Sequence, residues 1–335
     1  MTPEQAKSLT AIVPVAGVGT RLRPHTHTTP KALLYVAGRP ILAHILDDLL
    51  ALGVRKLVMV VGHMGERIRD YVDARYAATD LAVSYVEQKE PQGLGHAIHL
   101  AAPLVGKGPI LILLGDTIFR ADFSKLVSGG ASAIGVKAVD DPRRFGVVEV
   151  EGGRVKRLVE KPDVPPSHLA IVGVYYLTDG APLFAALDEL VKRDLRTRGE
   201  YQLTDALQLV IDHGHEIRTF PVEGWYDCGK TETLLETNRQ LLELAGGAPT
   251  VPGSVVLPPV AIEPGAEIVN SVIGPHVSIA TGTTVKNCVV RNSIINPNAR
   301  VEDILLEESL VGENAVAQGV FQSLNVGDSS EVRFL

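Results

Sequence analysis

Two cysteines in 335 residues, Cys228 and Cys288, are too few for a disulfide framework or, by themselves, for a zinc site. Aromatic residues are scarce too, at 5%. Cations are outnumbered: 32 Lys and Arg stand against 39 Asp and Glu, a formal net charge of −7. Nucleic-acid backbones are bound by a surplus of Lys and Arg, so this balance argues against a general nucleic-acid partner. Any anionic ligand has to be held by a local basic cluster. No uninterrupted apolar run approaches the ~20 residues that span a bilayer. The first ten residues are polar and lack the apolar stretch of a signal peptide. The expectation is a cytoplasmic protein with no membrane partner.

What is abundant is material for a core. Hydrophobic residues make up 45% of a chain longer than one core of up to ~250 residues keeps efficient, which predicts two domains. The first two-thirds alternate between strand-like and helix-like segments. Strands are expected at 10–16, 56–61, 81–86 and 109–114, and helices at 40–52, 65–76 and 96–105. This alternation argues for a parallel α/β sheet, whose function sits at the carboxyl ends of the strands. Gly17 and Asp116 both fall at that edge. Short β segments follow at 133–138, 146–150, 154–159 and 170–177, with Glu151-Gly152-Gly153-Arg154 as a hairpin turn. Helices at 181–192 and 203–213, a strand to 222 and a helix at 231–244 complete this part. A Gly/Pro stretch at 245–253 reads as a linker between a first domain, 1–244, and a second, 254–335.

In the second domain the period changes. Ile262, Ile268, Ile273, Ile279, Val285, Val290, Ile295, Val301, Leu306 and Val311 recur at five or six residues. Gly265, Gly274, Gly282, Gly312 and Asn298 fall at turn positions between them. A helix has no such period, and a β-sandwich would show alternation instead. The pattern is that of a hexapeptide-repeat solenoid, a left-handed parallel β-helix with room for about three coils.

The chemistry concentrates in Gly17-Val18-Gly19-Thr20-Arg21-Leu22-Arg23-Pro24, running on to Pro30-Lys31. It is not the dinucleotide fingerprint, because Leu22 stands where the third glycine belongs, and the G-x-x-x-x-G-K-[ST] phosphate loop is absent. Glycines let backbone N–H groups approach a phosphate closely. Arg21, Arg23 and Lys31 supply the cations that the acidic chain otherwise lacks. The plainer reading is a tight turn with solvated basic residues. The histidines show no metal-ligand spacing: His96 and His99 are three apart, with no third ligand evident, and read as solvated or hydrogen-bonded side chains.

This loop resembles the signature of the sugar-1-phosphate nucleotidylyltransferases. Further matching pieces follow in order: Gln88 before Gly93-Leu94-Gly95-His96-Ala97, Leu114-Gly115-Asp116, Phe145-Gly146, Glu160-Lys161-Pro162, Gly173-Val174-Tyr175-Tyr176, Gly199 through Asp205, and Trp225-Tyr226-Asp227-Cys228-Gly229. The long form of glucose-1-phosphate thymidylyltransferase, with its C-terminal β-helix, is the nearest in pattern. The first loop is one residue shorter than in many members and is similar to bacterial UTP–glucose-1-phosphate uridylyltransferases. The resemblance implies a Rossmann-like mixed sheet followed by the β-helix. It also implies an enzyme that joins an NTP to a sugar 1-phosphate and releases pyrophosphate with Mg²⁺. The favoured pair is dTTP with glucose 1-phosphate, and UTP is the alternative nucleotide.

The resemblance assigns roles residue by residue. Arg21, Lys31 and Asp116 are the expected catalytic residues. Ala16, Gly17, Gly19, Thr20, Gln88 and Gly93 are expected to bind the nucleotide, with Gln88 and Gly93 reading the base edge. Gly146, Glu160, Lys161 and Tyr175 are expected at the sugar phosphate, and Asp116 with Asp227 at the metal. Each has a plainer alternative: Asp116 as a helix N-cap, Asp227 as a turn residue, Glu160–Lys161 as a surface ion pair worth little, and Tyr175 as an ordinary strand aromatic. Two other function classes remain open: an acyltransferase activity of the β-helix around His276, and a non-catalytic nucleotide-binding regulator. A homo-oligomer is expected, since open β-helix ends expose backbone edges.

Overall fold

The computed structural model describes residues 8–320, so the last part of the expected second domain, 321–335, lies outside the described residues. The chain divides into two compact units. The division falls between Thr237 and Asn238, inside the last helix, and Tyr35–Gly38 belongs with the second unit. The 245–253 stretch carries no strand, and its only helical residue is Ala245, the last of that helix.

The first unit is built on a nine-stranded sheet. Its strands are β1 (Thr10–Pro14), β2 (Lys56–Val61), β3 (Ala82–Glu87), β4 (Ile110–Leu113), β6 (Ala133–Ala138), β7 (Gly146–Glu151), β8 (Arg154–Glu160), β9 (Leu169–Leu177) and β10 (Arg218–Pro221). The order is β3-β2-β1-β4-β9-β6-β10-β8-β7. The first four strands run parallel, as the alternating pattern predicts. Beyond them β9 is antiparallel to both β4 and β6, which makes the sheet mixed. Helices α1 (Ile41–Ala51), α2 (Gly65–Tyr76) and α3 (Leu94–Ala101) connect the parallel strands. The apolar runs of β1, β2 and β4 are buried throughout their middles, with Ile12, Val60 and Ile112 all at 0% exposure. That burial is what drives a strand with no alternation to the centre of a sheet.

Several elements have no counterpart in the sequence reading, and two of them shape the site. β5 (Thr117–Arg120) and β11 (Gly224–Asp227) form an antiparallel pair outside the main sheet, in which Asp227 lies opposite Thr117. The chain after Asp116 is therefore a strand and not a helix, which removes the N-cap alternative for that residue. A short helix, α4 (Phe123–Ser128), follows β5, its first turn capped by Asp122, whose carboxylate accepts from the Lys125 backbone N–H at 3.0 Å. Helices α5 (Ala181–Lys192), α6 (Leu203–Asp212) and α7 (Thr231–Ala245) complete the set. The predicted hairpin turn is present between β7 and β8, with Gly152 and Gly153 at φ 59° and 80°, the two positive angles that a two-residue turn between twisted strands requires.

The second unit is a stack of parallel strands in three four-stranded sheets. Each of the ten periodic aliphatics falls in one of three vertical stacks. Ile262, Ile279, Ile295 and Val311 form one. Ile268, Val285 and Val301 form the second, and Ile273, Val290 and Leu306 the third. The expected count of about three coils is corrected to four among the described residues. Each rung is shorter than eighteen residues: Val255 pairs with Val272, and Val289 with Leu305. The corners are tight because they turn through left-handed residues. Asn270, Asn287 and Asp303 have φ of 47°, 53° and 54°. The Asn270 amide donates to Asn287, and the Asn287 amide to Asp303, each at 2.8 Å. Asn and Asp tolerate this conformation better than other side chains.

Candidate active site

The glycine loop begins where β1 ends. The Val15 N–H donates to the Val60 carbonyl at 2.8 Å, and the Gly115 N–H to the Pro14 carbonyl at 3.2 Å, so the ends of β1, β2 and β4 converge on one point. Two glycines allow that convergence. A Cβ on Gly62 would lie 2.6 Å from the Ala16 carbonyl oxygen; one on Gly115 would run into Val15 and lie 2.9 Å from the Pro14 oxygen. Gly62 did not stand out in the sequence, and Gly115 did so only as a neighbour of Asp116 in the matching segment. Past Gly17 the chain turns through Gly19 at φ 66° into a single turn of 3₁₀ helix, Thr20–Leu22. The Thr26 hydroxyl donates to the Gly19 carbonyl at 2.9 Å and ties the loop down. A second short turn, Lys31–Leu33, carries Lys31 back beside Gly19.

The result is a cleft of about 390 Å³ at the carboxyl edge of the parallel strands. Nine of the expected residues line it: Ala16, Gly17, Gly19, Thr20 and Arg21 from the loop, then Lys31, Gln88, Gly93 and Asp116. Glu200 and Gly229 line it as well, and the sequence reading assigned no role to either. Gly93 has φ 105°, and a Cβ there would stand 2.6 Å from the Tyr201 carbonyl oxygen, so only glycine fits. Gln88 is 8% exposed, and its amide nitrogen donates to the Gly93 carbonyl at 3.1 Å.

At the floor, the buried Lys31 ammonium donates to the Asp116 carboxylate at 2.6 Å. The other Asp116 oxygen accepts from the Thr117 hydroxyl at 3.2 Å. Asp227 is brought alongside by the β5–β11 pairing. A Cβ on Gly229 would lie 2.8 Å from the Asp227 carboxylate and 3.3 Å from the Arg21 guanidinium, so those two groups face each other across a residue without a side chain. Cys228 is buried beneath them. Burial pushes its thiol up to about 12, with Lys31 opposing and Asp116 and Asp227 reinforcing the shift. Two carboxylates and two cations from segments far apart in sequence thus share one small volume. Carboxylate oxygens are the donors a hard divalent cation takes. Among the described residues no third His, Cys, Asp or Glu joins them in a metal-binding group. That set suits an ion whose remaining positions are filled by phosphate oxygens and water.

Gly146, Glu160, Lys161 and Tyr175 form a second cluster. Gly146 pairs with Glu160 across the β7–β8 ladder, and a Cβ there would lie 3.1 Å from the Glu160 carboxylate. One Glu160 oxygen meets the Lys161 ammonium at 3.0 Å, and the other accepts from the Thr204 hydroxyl at 2.7 Å. The Glu160 side chain is 9% exposed, which sets it apart from a solvated surface pair. Tyr175 is buried in the core cluster of the sheet, its hydroxyl pushed up by burial and then by the Glu160 charge.

The profile of a family described as Nucleotidyl transferase matches residues 10–243. The chain is 33% identical over 358 aligned residues to Glucose-1-phosphate thymidylyltransferase of Streptomyces antibioticus, covering 96% of this chain and 98% of that one. It is 36% identical over 242 residues to UTP–glucose-1-phosphate uridylyltransferase AglF of Haloferax volcanii, covering 70% of this chain and 96% of the relative. Among solved structures, UDP-glucose pyrophosphorylase complexed with UDP-glucose superposes with a TM-score of 0.61 at 27% identity, over 70% of this chain and 98% of that one. With the family profile spanning the sheet, the glycine loop and both aspartates, the chain belongs to the nucleotidyl transferase family.

Proposed function

We propose that this enzyme transfers a nucleotidyl group from an NTP to a sugar 1-phosphate, giving an NDP-sugar and pyrophosphate. The observation that carries the reading is the convergence of Arg21, Lys31, Asp116 and Asp227 around one cleft. The nucleophile is a phosphate oxygen already ionised at neutral pH, so no general base and no covalent side-chain nucleophile is needed. What the reaction needs is in-line placement of two polyanions and neutralisation of charge at the α-phosphorus. In this reading Arg21 holds the outgoing phosphates, and Lys31 lies against the α-phosphate. Ala16, Gly17, Gly19 and Thr20 supply loop backbone to the nucleotide. Gln88 and Gly93 meet the base, while Gly146, Glu160 and Lys161 receive the sugar phosphate. Tyr175, 4% exposed in the core of the sheet, supports that site without presenting a surface of its own.

Asp116 and Asp227 are the residues that would hold Mg²⁺, which when bound supplies Lewis-acid stabilisation of phosphate charge. The Lys31–Asp116 pair keeps both side chains in place at the cleft floor.

We assign dTTP and glucose 1-phosphate as the favoured substrates because the thymidylyltransferase relative matches nearly the whole chain, second unit included. UTP is retained as the second reading because a uridylyltransferase relative is 36% identical over 242 residues, 70% of this chain. We read the enzyme as cytoplasmic, where its NTP substrates are available. The second unit is read as a left-handed β-helix serving assembly of a homo-oligomer. Light scattering coupled to gel filtration should then give a mass above 35.8 kDa at micromolar protein, and a monomer mass would remove that assignment.

The test of the reaction is pyrophosphate release with Mg²⁺ across dTTP, UTP, CTP, GTP and ATP, each against glucose, galactose, mannose and N-acetylglucosamine 1-phosphates. One nucleotide–sugar pair should dominate. Asp116→Asn should lower kcat on that pair by about a hundredfold or more, the scale on which loss of one charge-stabilising group acts. Absence of pyrophosphate from every pair would overturn the proposal and favour a regulatory nucleotide-binding role.

A further inference from the structure

His96 stands in the third position of α3, outside every role assigned above. Its Nδ1 lies 3.1 Å from the amide nitrogen of Gln88, the same nitrogen that donates to the Gly93 carbonyl. A carbonyl oxygen only accepts, so the Gln88 NH₂ must face Gly93. Its second hydrogen is then directed at His96, and Nδ1 must present a lone pair to receive it. That requires neutral imidazole with its proton on Nε2. Held from two sides by its nitrogen, Gln88 is left with its carbonyl oxygen as the atom for the cleft, and among the described residues no donor reaches it.

The surroundings keep His96 in that state. Burial lowers its pKa, and the neighbouring His99 and Arg196 lower it further against a smaller opposing pull from Glu90. Its ring lies beside Tyr201, centroid to centroid 6.3 Å, and the Arg196 guanidinium lies over the Tyr201 ring at 4.2 Å. Asp194 in turn pairs with Arg196 at 2.7 Å.

We infer that His96 is a positioning residue for nucleotide choice: it locks the Gln88 amide so that the cleft offers a hydrogen-bond acceptor to the base. The inference rests on the reading of Gln88 as the residue that meets the base. An acceptor at that point matches bases that carry a ring N–H on their pairing edge, as uracil and thymine do at N3. Cytosine has a lone pair there and would face oxygen with nitrogen. A site built for one hydrogen bond rejects the analogue that leaves it unmade far more strongly than it rejects a change of size. Without His96 only the Gly93 carbonyl still holds the amide, so a flip that presents NH₂ to cytosine gives up one hydrogen bond instead of two.

The experiment compares kcat/KM for UTP, dTTP and CTP in the full-length enzyme and in H96L, H96Q and Q88A. H96L should narrow the preference for UTP or dTTP over CTP by about tenfold or more, while KM for the sugar 1-phosphate stays within about twofold. H96Q, whose amide oxygen accepts the same bond, should recover most of the preference. An H96L enzyme with unaltered nucleotide preference, beside a Q88A enzyme that has lost it, overturns the positioning role alone. Unaltered preference in both variants overturns the reading of Gln88 as well. Should H96L fail to fold, nitrogen NMR of histidine-labelled wild-type protein decides: a His96 proton on Nε2 supports the lock, and one on Nδ1 overturns it.

Discussion

Gly93 illustrates how much of this site is set by what single residues lack. Its positive φ, and a Tyr201 carbonyl oxygen 2.6 Å from where a Cβ would stand, leave no space for a methyl group. Gly93→Ala should therefore cost about 1–3 kcal/mol of stability from strain and overpacking. It should also raise KM for the nucleotide, since the Gly93 carbonyl anchors Gln88; thermal melts and initial rates check both. Cys228 makes the opposite point. A thiol pushed up to about 12 and shut from solvent is unreactive, so iodoacetamide at pH 8 should leave Cys228 unmodified in native protein and alkylate it in urea. His25 carries a pH dependence. Burial lowers its pKa below 6.5, so between the lowered value and 6.5 the unfolded chain binds more protons than the folded one. Its contribution is intact above pH 6.5 and is lost as pH falls below it. Urea midpoints from pH 7.5 to 5 should drop less in H25Q than in wild type.

At the level of the element, neighbouring residues of one strand test the β-helix register. Val290 points into the stack between Ile273 and Leu306 at 0% exposure, while Val289 points outward in line with Val272 and Leu305. Val290→Ala should cost about 2 kcal/mol, whereas Val289→Ala should stay within about 0.5 kcal/mol, as measured by urea unfolding. Equal effects would mean a slipped register, because a one-residue shift exchanges the two faces. The β5–β11 pair shows the reverse situation. Thr117-Ile118-Phe119-Arg120 has no sustained alternation, and its partner lies more than a hundred residues away. Local patterning holds no trace of that pairing, yet it brings Asp227 beside Asp116.

For the molecule as a whole, the chain passes between the two units three times, at 34/35, 38/39 and 237/238. Tyr35–Gly38, embedded in the first half of the chain, belongs with the second unit: the Ala37 N–H donates to Asn238 at 2.9 Å, and Asn238 also takes the Ser278 hydroxyl at 2.6 Å. A chain ending after residue 245 keeps Asn238 and loses Ser278. It should still release pyrophosphate, because every residue lining the cleft lies in the first unit, but with a lower melting temperature than the full chain. Inactivity of a folded fragment would tie catalysis to the β-helix. The parallel strands, the helices between them and the three stacks of the second unit were legible in the sequence, because burial imposes a period on neighbouring residues and a period is local. The glycine loop with Arg21 and Lys31 was legible for the same reason: its residues adjoin. The family resemblance implied a mixed sheet, but sequence order could not reveal which strands pair antiparallel in it, the fourth rung, the close approaches at Gly62 and Gly115, or the hydrogen bond from Gln88 to His96. These depend on which distant segments touch, and that is decided by long-range packing once the chain has closed on itself.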